Sequence, residues 1–425
     1  MDRWYRIDNT GKIFHAVSSA TNSSVFRVSM ILNETVEPRC LQEALDIVAV
    51  RFPTLTVRVR KGLFWDFMEQ NDAQLLVKRE VDYPCAPIDR RENNAYLIRV
   101  LYFDRRISVE IFHSLTDGGG AVEFLKTIVY QYLRLKGKNV QAEGEVLLPE
   151  ASPKSEEMED SFERYATSHK RKQPVSRSRK AYQVKGTTFD PPGINVVHGV
   201  VDASALNAFA KSRGTSLTGL LTSVLIDVIH AEKMKRETSE DMVAIALPVS
   251  LRRHFPSTTL RNFFSVTNIG VQVDDDTALD DIIREVSDQL RQKTDKESLQ
   301  MGIDRFVSLQ SNLWTRIMPV FLKYPIMRFG FNQIGERAKT MTLSNLGNVK
   351  LPDSMKPHVE RMEVVLYPTR KSPINCGIGT LNDQLTLTFA RSIEENGIIR
   401  SFFRELGAIT GLDVAVYSND WGVEG

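Results

Sequence analysis

Apolar positions recur along this chain in two rhythms that take turns. After Pro38, residues Leu41, Leu45, Val48 and Phe52 fall on one helical face, which Pro53 ends. Tyr96 to Phe103 reads as a strand, Asp104-Arg105-Arg106 as a turn, and Ile107, Val109 and Ile111 then alternate with Ser108 and Glu110. That is the period of a strand with one buried face, so the two strands are expected to form a hairpin. From Ala121 to Leu135 the helical period returns, with Val122, Leu125, Ile128 and Tyr132 inward and Gly137 as its stop. Alternation of this kind predicts a mixed α/β fold rather than a helical bundle or an all-β sandwich.

Residues 138–195 break both rhythms. They hold an acidic cluster (Glu156, Glu157, Glu159, Asp160), then a basic one (Lys170, Arg171, Lys172, Arg177, Arg179, Lys180), with Pro149, Pro153, Pro174, Pro191 and Pro192 spread among them. The stretch reads as a solvated crossover between an N-terminal unit, residues 1–137, and a C-terminal unit, residues 196–425. The second unit opens on a largely apolar helix (Leu217, Leu220, Leu221, Val224, Leu225, Val228, Ile229) after the cap Ser216, followed by an apolar strand from Val243 to Val249. Thr277 and Asp280 fit a capping box ahead of Ile282, Ile283, Val286 and Leu290. Leu385, Leu387 and Phe389 alternate with Thr386 and Thr388, and Ile399, Phe402, Phe403 and Leu406 follow at helical spacing. This strand-then-helix order echoes the one from Ile107 to Leu135, which suggests two related halves.

Composition acts mainly by exclusion. Across 425 residues, 55 Lys and Arg face 53 Asp and Glu, and a net charge of +2 creates no global field for nucleic acid or anionic lipid. The most apolar run, Met318 to Phe331, is broken by Lys323 and Arg328 and falls short of the about eighteen uncharged residues of a membrane span. Met1-Asp2-Arg3-Trp4-Tyr5 has no apolar signal core. Cys40, Cys85 and Cys376 lack CxxC spacing, which argues against a disulfide framework and a thiolate zinc site. The expectation is a cytoplasmic protein.

Chemistry concentrates in Phe112-His113-Ser114-Leu115-Thr116-Asp117-Gly118-Gly119-Gly120. An imidazole at a strand end, an acid four residues later and three glycines at a helix start make a tight loop that presents His113 to a cavity. Glycine weakens a helix and packs nothing, so either a backbone must come close there or space must stay empty. With an ordinary pKa of about 6.5, neutral imidazole is a competent general base. Asp117 could bond the ring or pair with an arginine, and spacing alone does not choose. Metal, serine-hydrolase and nucleotide readings lack their patterns: the other histidines are scattered, and G-x-S-x-G, G-x-G-x-x-G and P-loop sequences are absent.

The segment Phe112 to Gly118 resembles the HHxxxDG signature of acyltransferases with the chloramphenicol acetyltransferase fold, most closely the bacterial alcohol acetyltransferase and condensation-domain branch. Arg51-Phe52-Pro53-Thr54-Leu55 is similar to that family's segment after the first helix. Leu247-Pro248-Val249-Ser250-Leu251-Arg252 with Leu260-Arg261-Asn262-Phe263 resembles its second-half block, and Thr342-Leu343-Ser344-Asn345-Leu346-Gly347 its late SNlG strand. The resemblance implies two chloramphenicol-acetyltransferase-like subdomains with a tunnel at their interface. It also implies acyl transfer from acyl-CoA, as a co-substrate rather than a bound cofactor, to an alcohol or amine in a ternary complex. His113 would be the base, Asp117 a structural acid paired with Arg252, Gly118 the residue leaving room for the pantetheine arm, and Ser344, Asn345 or Asn262 the oxyanion and tunnel groups.

Phe112 replaces the first histidine of the signature, which favours a free-standing enzyme using coenzyme A over one using a carrier protein. Two rival expectations stand beside this one. In the first, a loaded acyl carrier protein is the donor, docked by the basic cluster between Lys170 and Lys180; in the second, the fold binds a small molecule without turnover. Each helper also has a plainer reading: Arg252 and Arg253 as surface charges, Ser344 and Asn345 as a turn, Asn262 as a cap.

Overall fold

A computed structural model describes residues 4–19, 22–167, 180–234, 241–311 and 318–419. In it the apolar runs become central strands. β2 (Val25–Leu32), buried at every position, pairs antiparallel with β7 (Arg106–Phe112), and β7 forms a hairpin with β6 (Ile98–Phe103). β5 (Val77–Arg79) and β12 (Val359–Val365) complete a five-stranded sheet in the order β12-β2-β7-β6-β5. Helix α3 (Gly118–Leu135) packs on β2 and β7, and α2 (Pro38–Ala49) packs on α3. Val122, Leu125 and Ile128 of α3 and Leu41, Leu45 and Val48 of α2 fill the core between them. A small sheet of β1 (Trp4–Arg6), β4 (Phe67–Gln70) and β3 (Val57–Arg60) flanks this unit, together with α1 (Asn9–Val17).

The second sheet has seven strands. Its order is β10 (Phe264–Val271), β9 (Val243–Ser250), β11 (Met341–Asn348), β13 (Ile374–Leu381), β14 (Gln384–Arg391), β8 (Asn195–Asp202), β15 (Ala415–Asn419). β11 runs parallel to both its neighbours, while the other pairings are antiparallel. The apolar helix read from Leu217 is α6 (Leu217–Ile229), which follows α5 (Ala203–Ser212); it packs against α7 (Leu279–Lys293) and α10 (Gly397–Thr410), the helix that follows β14. α5 and the run Leu217–Met234 together are apolar and long but bend by 79° between them, and α6 is the buried core helix of this sheet; among the described residues no single helix is long and apolar enough to cross a membrane. Because β12 lies far along the chain yet sits in the first sheet, the sheets and the chain order divide at different places.

Three local expectations are corrected. The helix expected from Ala121 begins at Gly118, because the Asp117 carboxylate accepts from the backbone N–H of Gly119 (3.1 Å) and Gly120 (3.3 Å) and so draws the glycines into the first turn. No capping box forms at Thr277: α7 is capped by Ala278, and the Thr277 hydroxyl donates to Asp274 Oδ1 at 2.6 Å. The acidic cluster of the crossover is not simply solvated. Glu157 is buried and holds the equally buried Arg51 through two bonds, Nη1 to Oε2 at 2.6 Å and Nη2 to Oε1 at 2.8 Å, while Asp160 caps the short α4 (Ser161–Tyr165) and accepts from Asn9 N–H at 3.0 Å. Of the basic cluster, Lys170, Arg171, Lys172, Arg177 and Arg179 lie outside the described residues, and Lys180 pairs with Asp241 at 2.7 Å.

A bidentate ion pair sealed from water gains its strength from both partners being present, since either charge left alone keeps its desolvation cost. Glu157→Ala is therefore expected to cost about 3–5 kcal/mol, while Arg51→Met combined with Glu157→Leu recovers most of that loss. Urea-unfolding midpoints of the single and double variants check this; equal losses in both would contradict it.

Candidate active site

The end of β7 delivers His113, whose backbone N–H donates to Ser24 O at 2.8 Å, and the chain then turns through Thr116 into α3. The loop 259–262 of the second half reaches this turn. Thr116 Oγ1 donates to Leu260 O at 2.5 Å, and a Cβ on Gly120 would overlap both that carbonyl and the Thr116 hydroxyl. Only glycine lets the loop come so close. At Gly118 a Cβ would instead run into the side chain of Leu346, on the cavity wall.

Asp117 has both oxygens engaged away from the imidazole. Oδ1 caps α3, and Oδ2 accepts from Arg252 Nη1 at 2.7 Å and from Phe263 N–H at 2.8 Å. Arg252 in turn donates through Nη2 to Thr259 O (2.9 Å) and Arg261 O (2.8 Å). One carboxylate and one guanidinium thus hold the helix start, the end of β9 and the 259–263 loop as a unit. Charge-assisted bonds with low solvent access are the strong class of hydrogen bond.

Holding that loop places Asn262, fully buried, beside His113. Its Nδ2 faces only acceptors: Asp8 Oδ2 at 3.1 Å, Asp8 Oδ1 at 3.4 Å and His113 O at 3.1 Å. The amide is thereby oriented, and its Oδ1, 3.2 Å from His113 Nδ1, must accept. Nδ1 then carries the ring proton and Nε2 the lone pair. Asp8 also caps α1 by accepting from Gly11 N–H at 2.6 Å, and lies 3.6 Å from Arg261 Nε. Burial pushes the Asp8 carboxyl up to about 6, opposed by the Arg261 charge, so it is ionised at neutral pH.

Three phenylalanines sheathe the imidazole. Phe14 stacks on it at 4.1 Å and 11°, with Phe26 at 4.6 Å and Phe264 at 5.4 Å. Burial pulls the His113 pKa below the usual imidazole value; backbone carbonyls of His113 and Thr116, the Asp117 charge and Asn262 only partly oppose it. The ring is therefore neutral at pH 7.

His113 lines a cavity of about 930 Å³, within the range of small-molecule sites. Phe26, Gly118 and Val122 wall it from the first half, and Pro248, Phe264, Ser344 and Asn345 from the second. Asn345 is occupied: its Oδ1 accepts from Gly347 N–H (2.8 Å) and its Nδ2 donates to Thr218 (3.1 Å). Ser344, on the same strand, is also buried against the cavity. All seven residues singled out in the sequence, His113, Asp117, Gly118, Arg252, Asn262, Ser344 and Asn345, gather at this cavity or one contact from it. Asp8, Phe14 and Phe26 were missed. Asp8-Asn9-Thr10-Gly11 is a helix-start signal, but nothing local points from Asp8 to Asn262, 254 positions away. Among the described residues no three His, Cys, Asp or Glu side chains are placed to hold a metal ion.

No family model matches the chain, and no curated protein matches it by sequence. Solved structures do resemble it. Polyketide synthase associated protein 5 from Mycobacterium tuberculosis superposes with a TM-score of 0.63 at 14% identity, covering 96% of this chain and 97% of that one. The first condensation domain of the calcium-dependent antibiotic synthetase gives 0.63 at 11%, covering 96% of each. The trichothecene 15-O-acetyltransferase TRI3 from Fusarium sporotrichioides gives 0.60 at 10%, covering 96% and 95%. The chain has the two-subdomain, chloramphenicol-acetyltransferase-like fold of condensation domains and acyltransferases.

Asp8→Asn tests the orientation of the ring. The new carboxamide keeps the α1 cap but sets its NH2 against that of Asn262, which must flip and offer its own NH2 to Nδ1. The His113 proton is then expected to move to Nε2, visible in imidazole 15N shifts, with activity falling by about 10²-fold or more. An unchanged tautomer would refute the relay.

Proposed function

We propose that this chain is an acyltransferase that moves an acyl group, acetyl or another short chain, from acyl-CoA to an alcohol. The observation that carries the reading is His113: a neutral imidazole held through Nδ1, in a cavity that both halves wall. In the proposed reaction Nε2 takes the proton of the acceptor hydroxyl as its oxygen attacks the thioester carbonyl. The tetrahedral intermediate collapses by breaking the C–S bond, and the departing sulfur receives the proton back from Nε2, yielding ester and free thiol. No acyl-enzyme is needed, and holding both substrates together supplies much of the rate.

The supporting groups take roles that follow from their contacts. Asp117 and Arg252, which also line the cavity, position the loop through their mutual ion pair. Gly118 keeps the wall beside Leu346 clear for the pantetheine arm. Of the three oxyanion candidates Ser344 is the best donor, because the Asn345 amide is turned to Thr218 and Gly347 and the Asn262 amide to Asp8 and His113; such a donor contributes a few kcal/mol. Asn262 orients the base. The likeness to condensation domains supports a second reading, with the acyl group carried on a loaded carrier protein and an amine or alcohol as acceptor.

Purified protein is expected to release free thiol from acyl-CoA only when an alcohol is present, and His113→Ala to lose about 10²–10⁴-fold of that rate. Turnover with a loaded carrier but not with acyl-CoA would favour the second reading, and tight ligand binding with no turnover at all would sink both.

Because burial lowers the His113 pKa, its neutral form survives as pH falls through 6.5. The acid limb of kcat/KM is therefore expected below 6.5, where imidazole and the Asp8 carboxylate take up protons; a midpoint above that value would contradict the burial argument.

A further inference from the structure

The apolar run near Met318 to Phe331 forms α9 (Val320–Gly330), the helix that follows α8 (Lys296–Ser311) among the described elements. Its amphipathicity is inverted. Phe321, Leu322, Ile326 and Phe329 face outward together with Pro325, joined by Leu63 and Phe64 from the loop that accepts a hydrogen bond from its start; the exposures of the large side chains run from 45% at Phe64 to 69% at Phe321. The polar side chains face the protein. Lys323 is buried, donates to Phe64 O at 2.7 Å and lies over the Trp65 ring. Tyr324 donates to Asp66 at 3.0 Å, and Arg328 donates to Ala16 O and Ser18 O at 3.2 and 3.0 Å. Val320 N–H bonds Leu63 O at 2.9 Å, so the loop and helix present one surface.

A water-facing helix ordinarily turns its apolar stripe inward, and exposed patches of this size mark interaction sites. Charge selects the partner. From 305 to 335 the sequence holds Arg305, Arg316, Lys323 and Arg328 and not one carboxylate, against a nearly balanced chain of net +2. Global charge gives no attraction to anionic lipid, but this segment does so locally. Phenylalanine, leucine and isoleucine on one face, with Arg328 exposed beside them and the neighbouring Asp66 carboxylate buried against Tyr324 and His15, match an interfacial helix more closely than a protein interface, where charged and hydrogen-bonding groups of both signs form the rim. At about 1.5 Å per residue the helix is about 16 Å long, half the thickness of a bilayer core, so it can lie on a membrane but not cross one.

We propose that the outer face of α9, with Leu63 and Phe64, docks this protein on an anionic lipid bilayer. Phe331, the residue after α9, and Arg305 both line the cavity of His113. The cavity wall therefore begins one residue beyond the docked helix, which suits an apolar substrate arriving from the membrane. The docking itself does not depend on the acyl-transfer reading.

Flotation of the full chain with vesicles tests this. Wild type is expected to float with vesicles of mixed phosphatidylglycerol and phosphatidylcholine, less with pure phosphatidylcholine, and less as salt is raised. Ile326→Glu with Phe329→Glu, both surface residues, is expected to cut partitioning by at least about tenfold with unchanged circular dichroism and melting temperature. Equal partitioning of the variant, or no flotation of wild type, would overturn the proposal. So would a wild-type dimer in solution that the variant converts to monomer, because a second copy would then be the occupant.

Discussion

A single buried carboxylate organises the site. Asp117 caps the helix that starts behind His113, grips Arg252 and receives the backbone of Phe263, all without touching the imidazole. Removing one partner of an ion pair of this kind leaves the other charge uncompensated and frees the 259–263 loop. That loop carries Asn262, and Asn262 decides which nitrogen of His113 is protonated. The order of dependence runs from Asp117 to Arg252, to the loop, to Asn262 and then to the imidazole of His113. Asp8 enters from the other side and fixes the direction of the amide, so the ring is oriented by groups from both halves of the chain.

Burial shapes the chemistry of these groups in opposite directions. The phenylalanine sheath keeps His113 neutral by penalising the imidazolium, while burial of Asp8 raises its carboxyl to about 6 and makes its ionised form costly to hold. Arg261 and the Asn262 amide offset part of that cost. A neutral imidazole beside a buried anion is the kind of perturbed pair that functional sites collect, and it is not the fold's sole buried polar group: Arg27 and Glu110 pair across β2 and β7 as well.

Much of the fold could be read directly. The rhythms that predict the β6–β7 hairpin, α2, α6 and the pair β14 and α10 are local, and each element forms where its apolar period lies. The segment from His113 to Gly120 stands out because a strand period, a helix period and three glycines meet there. Gly120 shows why: Leu260 approaches too closely for any side chain. What could not be read is long-range. β12 crosses into the first sheet, Glu157 finds Arg51 106 positions away, and Asp8 meets Asn262. The capping-box pattern at Thr277 misled because Asp274 competes for the same hydroxyl. The outward turn of α9 was also hidden, since a run of apolar residues with two cations does not say which face meets water.

The most direct test of the central account is affinity labelling of His113, the proposed base. A bromoacetyl thioester of coenzyme A should place its methylene carbon beside Nε2; a C–N bond forms, bromide leaves, and the Nδ1 proton is lost to solvent. Peptide mass spectrometry is expected to find the carboxymethyl-type adduct on His113, suppressed by excess acyl-CoA and absent from His113→Ala. Labelling of other residues with His113 untouched would contradict the claim that this imidazole faces the donor in a shared cavity.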